Sequence, residues 1–174
     1  ALVAKEDTEK AIQWAYTISD SNARDRSLSS IVRSVAATDP IKALDLASEI
    51  PDERQYTSAM AQVVGQYAKT DRQGARDLLN SLPEGAIRDR SVQHFAYQIA
   101  QDDPETAMQW TDAISDDNLA RSVTRSIGYS WIQKDLESAE AWIKQADISD
   151  NLRKRLLDYA ERVSKKKQEE NERS

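Results

Sequence analysis

The sequence predicts an all-α protein, an α-solenoid of about five antiparallel helix-turn-helix units. Three observations predict it. The 174 residues include only four glycines and four prolines, too few for a network of β-turns, and are rich in the helix formers Ala, Leu, Gln, Arg and Glu. Asp7, Asp39, Asp71, Asp103 and Asp135 recur every 32 residues. Behind each aspartate, apolar residues fall at intervals that share one face of a helix.

Counted from each aspartate, position four is always alanine: Ala11, Ala43, Ala75, Ala107 and Ala139. Position seven is large and apolar (Trp14, Leu46, Leu78, Trp110, Trp142), and position eleven is Ile18, Ile50, Leu82 and Ile114, with Ala146 breaking the row. These spacings predict a first helix in each unit, with the aspartate as N-cap accepting from the free amides of the first turn. Pro40 and Pro104 follow at the first helical position, where no hydrogen bond is lost. An acid at position thirteen (Asp20, Asp52, Glu84, Asp116) lies in a short turn with Ser19, Pro51, Pro83 or Ser115. A second helix is expected beyond it, with apolar rows Ile31, Val63, Phe95, Ile127, Tyr159 and Val35, Tyr67, Ile99, Trp131, Val163. In the fifth unit the acidic turn falls two residues late, at Asp150. No single hairpin of this size buries its own apolar face, so neighbouring units are expected to stack.

The repeat region is expected to span residues 1–163, with units starting at 7, 39, 71, 103 and 135. Val3 and Ala4 align with Val35 and Ala36, so residues 1–6 read as the end of a second helix from a preceding unit. Residues 164–174 (SKKKQEENERS) carry no apolar side chain and read as a charged tail, either a solvated extension of the last helix or disordered.

Composition excludes several function classes. There is no cysteine, so disulfides, thiol catalysis and zinc–cysteine sites are absent. No glycine-rich phosphate loop or histidine pair occurs; His94 stands alone beside Phe95 and reads as a surface or edge residue. No catalytic, metal-binding or cofactor residues are expected. The net charge of −6 argues against nucleic acid and anionic membrane as partners, and no apolar run reaches the length of a membrane span. Localisation stays open: export with removal of a leader, as in a bacterial periplasmic protein, and residence in the cytoplasm both fit.

The spacing resembles that of the tetratricopeptide repeat, whose signature positions are filled in the first unit by Ala11, Trp14, Ala15, Ile18, Ser27 and Ile31. In the second they are filled by Ala43, Leu46, Ala47, Ile50, Ala59 and Val63. The unit is shorter than that family's usual repeat, and a HEAT-like array is the competing label. The resemblance implies a right-handed superhelix and a non-catalytic scaffold that binds a peptide or partner protein on a concave face lined by first helices. A nucleic-acid-binding repeat array and a substrate-recruiting module of a larger enzyme are the alternatives.

On that rotation, positions five and nine point into the groove. The partner-binding residues would be Ile12, Tyr16, Leu44, Arg76, Asn80, Met108 and Asp112, with Tyr16 and Arg76 as anchors. The competing reading makes position five ordinary packing between first helices. A second candidate is a basic stripe at the start of the second helices, where Arg24-Asp25-Arg26 recurs as Arg88-Asp89-Arg90, followed by Arg121 and Arg125 and then Arg153 and Arg155. Cations in a first helical turn oppose the helix dipole. Either they meet an acidic partner or phosphates, or they pair with turn acids such as Asp20, Asp52 and Asp116. Trp14, Trp110, Trp142 and Trp131 share rows with aliphatic residues and read as core.

Overall fold

The computed structural model describes the backbone of residues 2–172 and the side chains of residues 7–170. Among the described residues the protein is all-helical, with no strand. The helices are α1 (Leu2–Tyr16), α2 (Ser21–Ala36), α3 (Pro40–Ser48), α4 (Glu53–Thr70), α5 (Arg72–Ser81), α6 (Ala86–Ile99), α7 (Pro104–Thr111), α8 (Asp117–Lys134), α9 (Leu136–Gln145) and α10 (Asp150–Glu172).

Four of the five repeating aspartates start helices as the sequence implies. Asp39, Asp71, Asp103 and Asp135 each accept a hydrogen bond from the amide three residues on, at 2.8–3.1 Å. Asp20 and Asp52 do the same for α2 and α4, at 2.7 and 2.8 Å, and Asp116 accepts from both Asn118 and Leu119 at the start of α8. Three starts differ from expectation. Asp7 caps nothing, because α1 runs unbroken from Leu2 to Tyr16. Residues 2–6 are therefore backbone of the first helix. At α6, Gly85 replaces Glu84 as the entry residue: its φ of 132° suits only glycine, and its carbonyl accepts from the Asp89 amide at 2.9 Å. At α10, Ser149 precedes the first turn and accepts from the Leu152 and Arg153 amides.

The chain divides into two compact units, Ala1–Gln98 and Ile99–Ser174. In the first, α2 packs on α1, α3 and α4, and α4 packs on α3 and α5. In the second, α8 packs on α7, α9 and α10, and α9 packs on α10. Within each unit the second helices of successive hairpins touch one another, and each first helix lies against second helices. Burial follows. Among the described residues α4 buries seven and α8 six, whereas α3, α5 and α9 bury two each.

The fully buried rows are those of small or branched side chains. On the first helices they are position four from Ala43 onward, Ala11 being half-buried, and position eight: Ala15, Ala47, Leu79, Thr111 and Ile143. On the second helices, Leu28, Met60, Val92, Thr124 and Leu156 form one buried row. Val32, Val64, Ala96, Gly128 and Ala160 form another. Both rows keep the 32-residue spacing. The two polar members of these rows satisfy each other, the buried Thr124 hydroxyl donating to that of Thr111 at 3.0 Å.

Helix α10 continues to Glu172, so the charged tail through that residue is helical. Exposed pairs Lys165–Glu161 and Lys166–Glu170, each one turn apart, run along it.

Gly128 is where close approach demands glycine. A Cβ there would lie 2.8 Å from Cδ2 of Leu156, a side chain with no exposed surface into which to retreat. Alanine gains about 1 kcal/mol of helix propensity over glycine, but overpacking a filled core costs about 1–3 kcal/mol. Gly128→Ala is expected to lower the melting temperature by a few degrees, measured by circular dichroism. A higher melting temperature would show that α8 and α10 have slack at this contact.

Candidate functional site

The first-helix surface is rotated from the sequence expectation. Position eight, rather than position seven, points into the core. Position seven is left half-buried in Leu46, Leu78, Trp110 and Trp142, and Trp14 is 60% exposed. Trp14 is thus not core, contrary to its row. The reason is local to the repeat: Trp142 packs on Trp131 of the preceding second helix, with ring centroids 5.8 Å apart, whereas Trp14 has no such cover among the described residues.

The same rotation sorts the seven candidate partner-binding residues. Met108 is 3% exposed and belongs to the core, so it is not an accessible groove residue. Leu44 packs against the buried cluster of the first unit and is likewise structural. Ile12 and Arg76 are half-buried. Position five therefore flanks the core, because the buried position-four and position-eight rows leave it on their margin. Position nine faces solvent in every repeat: Tyr16, Ser48, Asn80, Asp112 and Lys144 are all exposed. Tyr16 and Asn80 lie in the first unit and Asp112 in the second. The Tyr16 hydroxyl donates to the Glu49 carboxylate at the end of α3; this bond, with burial and the Glu49 charge, raises the phenol above its ordinary range.

The arginine stripe also divides. Arg24 is half-buried, with its Nε 3.6 Å from the buried carboxylate of its neighbour Asp25. The middle acid of the second Arg-Asp-Arg run, Asp89, is buried as well. Arg26 is exposed and Arg88 half-buried. Exposed Arg90 donates to Gln93 at 3.1 Å, and Arg121 to Asn118 at 2.8 Å. Arg153 is used inside the fold, donating to the carbonyls of Ile143 and Ala146 at the end of α9. The turn carboxylates Asp20 and Asp52, expected as ion-pair partners, serve as helix caps.

Two open depressions lie between consecutive second helices, a feature sequence reasoning missed. In the first unit, Arg54, Glu53, Arg90 and His94 border one of about 460 Å³ between α4 and α6. In the second, Arg121, Arg125 and Arg155 border one of about 470 Å³ between α8 and α10. The arginines were visible in the sequence. Their convergence depended on helix rotation.

His94 is held below the ordinary histidine range, first by burial and then by the charge of Arg90. Among the described residues, no group of three His, Cys, Asp or Glu is placed to hold a metal ion, and no helix is long and apolar enough to cross a membrane.

Two measurements check this surface. Trp14→Ser is expected to change stability by no more than about 0.5 kcal/mol, as for an exposed side chain. Trp142→Ala, which strips a half-buried ring from Trp131, is expected to cost about 1–3 kcal/mol. Equal losses in urea titrations would contradict the assigned rotation. The second concerns pH. A folded histidine with a lowered pKa leaves the unfolded chain to take up the proton first as pH falls. The stabilising term is full above the unfolded value of about 6.5 and is lost as pH falls from there towards the folded value. Melting of the native chain is therefore expected to drop more between about pH 7.5 and about pH 5 than that of His94→Gln; identical slopes would refute the shift.

Comparisons of the chain with protein-family models, with curated proteins and with solved structures find no match.

Proposed function

We propose that the chain is a non-catalytic repeat scaffold, a solenoid of stacked helical hairpins that binds another protein through the outward side of its first helices. One observation carries the reading. Position nine is exposed in all five repeats and holds five different residues, Tyr16, Ser48, Asn80, Asp112 and Lys144, while position four beside it is alanine throughout. A framework fixed by its core and varied along an exposed row is free to fit that row to a partner without disturbing the fold. The tetratricopeptide-like spacing supports the same reading by analogy. The acidic balance favours a protein over a nucleic acid.

The test is affinity capture with the native chain and with Tyr16→Ala/Asn80→Ala/Asp112→Ala. All three side chains are exposed, so helical content and melting are expected to stay within the range of neutral surface substitutions, about 0.5 kcal/mol per site. A protein retained by the native chain and lost by the triple variant is the expected result. Equal capture by both, or material released by nuclease, would sink the proposal.

A further inference from the structure

We infer that the depression between α8 and α10 is a binding site for a phosphorylated side chain of a partner protein. Arg121 and Arg125 come from the second and third turns of α8 and Arg155 from the second turn of α10; all three border a single depression of about 470 Å³. Its lining contains no carboxylate; the other polar groups there are Asn118, Ser122, Ser149 and Asn151. Among the described residues, no acid lies within ion-pairing distance of any of the three guanidiniums. Three cations around one depression repel one another, and among the described residues no ion pair within the fold offsets that repulsion. That arrangement contributes little to stability and suits an incoming anion.

The first unit supplies an internal control. The corresponding depression between α4 and α6 includes an acid, Glu53, beside Arg54, Arg90 and His94. The position is shared by both units, but only the second presents cations alone.

The shape of the cation set selects the ligand. A single carboxylate is satisfied by one bidentate arginine, whereas a phosphate monoester carries close to two charges and three terminal oxygens, and suits several guanidiniums with hydroxyl and amide donors around them. The site is open to solvent and bordered by Leu152, so it fits a side chain presented on a polypeptide better than an enclosed small molecule. A long polyanion is disfavoured by the net charge of −6.

The inference rests on the protein-binding reading but uses a different surface, so the two fail separately. The probe is a short fluorescein-labelled Gly/Ala peptide with one central phosphoserine, followed by fluorescence anisotropy at physiological salt. The same peptide with serine, inorganic phosphate as competitor, and labelled oligo-dT are the comparisons. Expected results are binding of the phosphopeptide over the serine peptide, and a loss on the order of tenfold or more in Arg121→Gln/Arg125→Gln/Arg155→Gln. Arg54→Gln/Arg90→Gln is expected to bind normally, and affinity is expected to fall below about pH 6 as the phosphate dianion takes up a proton and becomes the monoanion. Arg155→Gln alone, at an exposed site, gives a second reading if the triple variant melts early. Equal binding of the serine peptide, retained binding by the arginine variants, competition by inorganic phosphate at matching affinity, or tighter binding of oligo-dT would each overturn the assignment. In any of these cases, capture that still depends on Tyr16, Asn80 and Asp112 would leave the first-helix surface standing.

Discussion

Everything in this fold depends on the contact between second helices of successive hairpins. A hairpin of this length has too little interior to bury its own apolar surface, so α2 must lie on α4, and α8 on α10, for a core to exist in either unit. The rows that make that contact contain alanine, glycine and valine at one position and larger residues at its neighbour. Gly128 permits close approach where Leu156 fills space. First helices pack on this framework through positions four and eight. Alanine at position four in every unit keeps that docking close and uniform.

Docking through so narrow a stripe leaves room for the surfaces proposed above. A first helix that buries two or three residues leaves most of its circumference free. The exposed row at position nine can therefore vary from tyrosine to lysine without cost to the core. Second helices also keep side chains open to solvent, those in the N-terminal halves of α8 and α10 among them. There the arginines of α8 and α10 meet without acids between them.

The period, the helix class and most of the caps were legible in the sequence, because each has a local cause. A carboxylate three residues ahead of a free amide, or a proline at a first helical position, acts without reference to the rest of the chain. Helix rotation was not legible to the same degree. Position seven carries the bulkier residues and drew attention as core, yet the small residues Ala15 and Ala47 at position eight are the ones enclosed. Bulk marked the rim of the interface, where Trp142 covers Trp131, rather than its centre. That error moved Met108 and Leu44 onto a supposed groove and Trp14 into a supposed core. The buried rows of the second helices repeat every 32 residues too, and the same periodic reading applied at Leu28 and Val32 reveals them. Asp7 was misread because it keeps the repeat spacing after the local conditions for a helix start have gone.

The central claim is that the second helices form the spine on which the first helices are mounted. Native-state hydrogen exchange tests it directly, since amides in the most enclosed elements open only with the whole unit. The account predicts the slowest exchange in the middle of α4 and α8, around Val63–Val64 and Ile127–Gly128, with α3, α5 and α9 exchanging faster. First helices protected as strongly as α4 and α8, or more so, would contradict it.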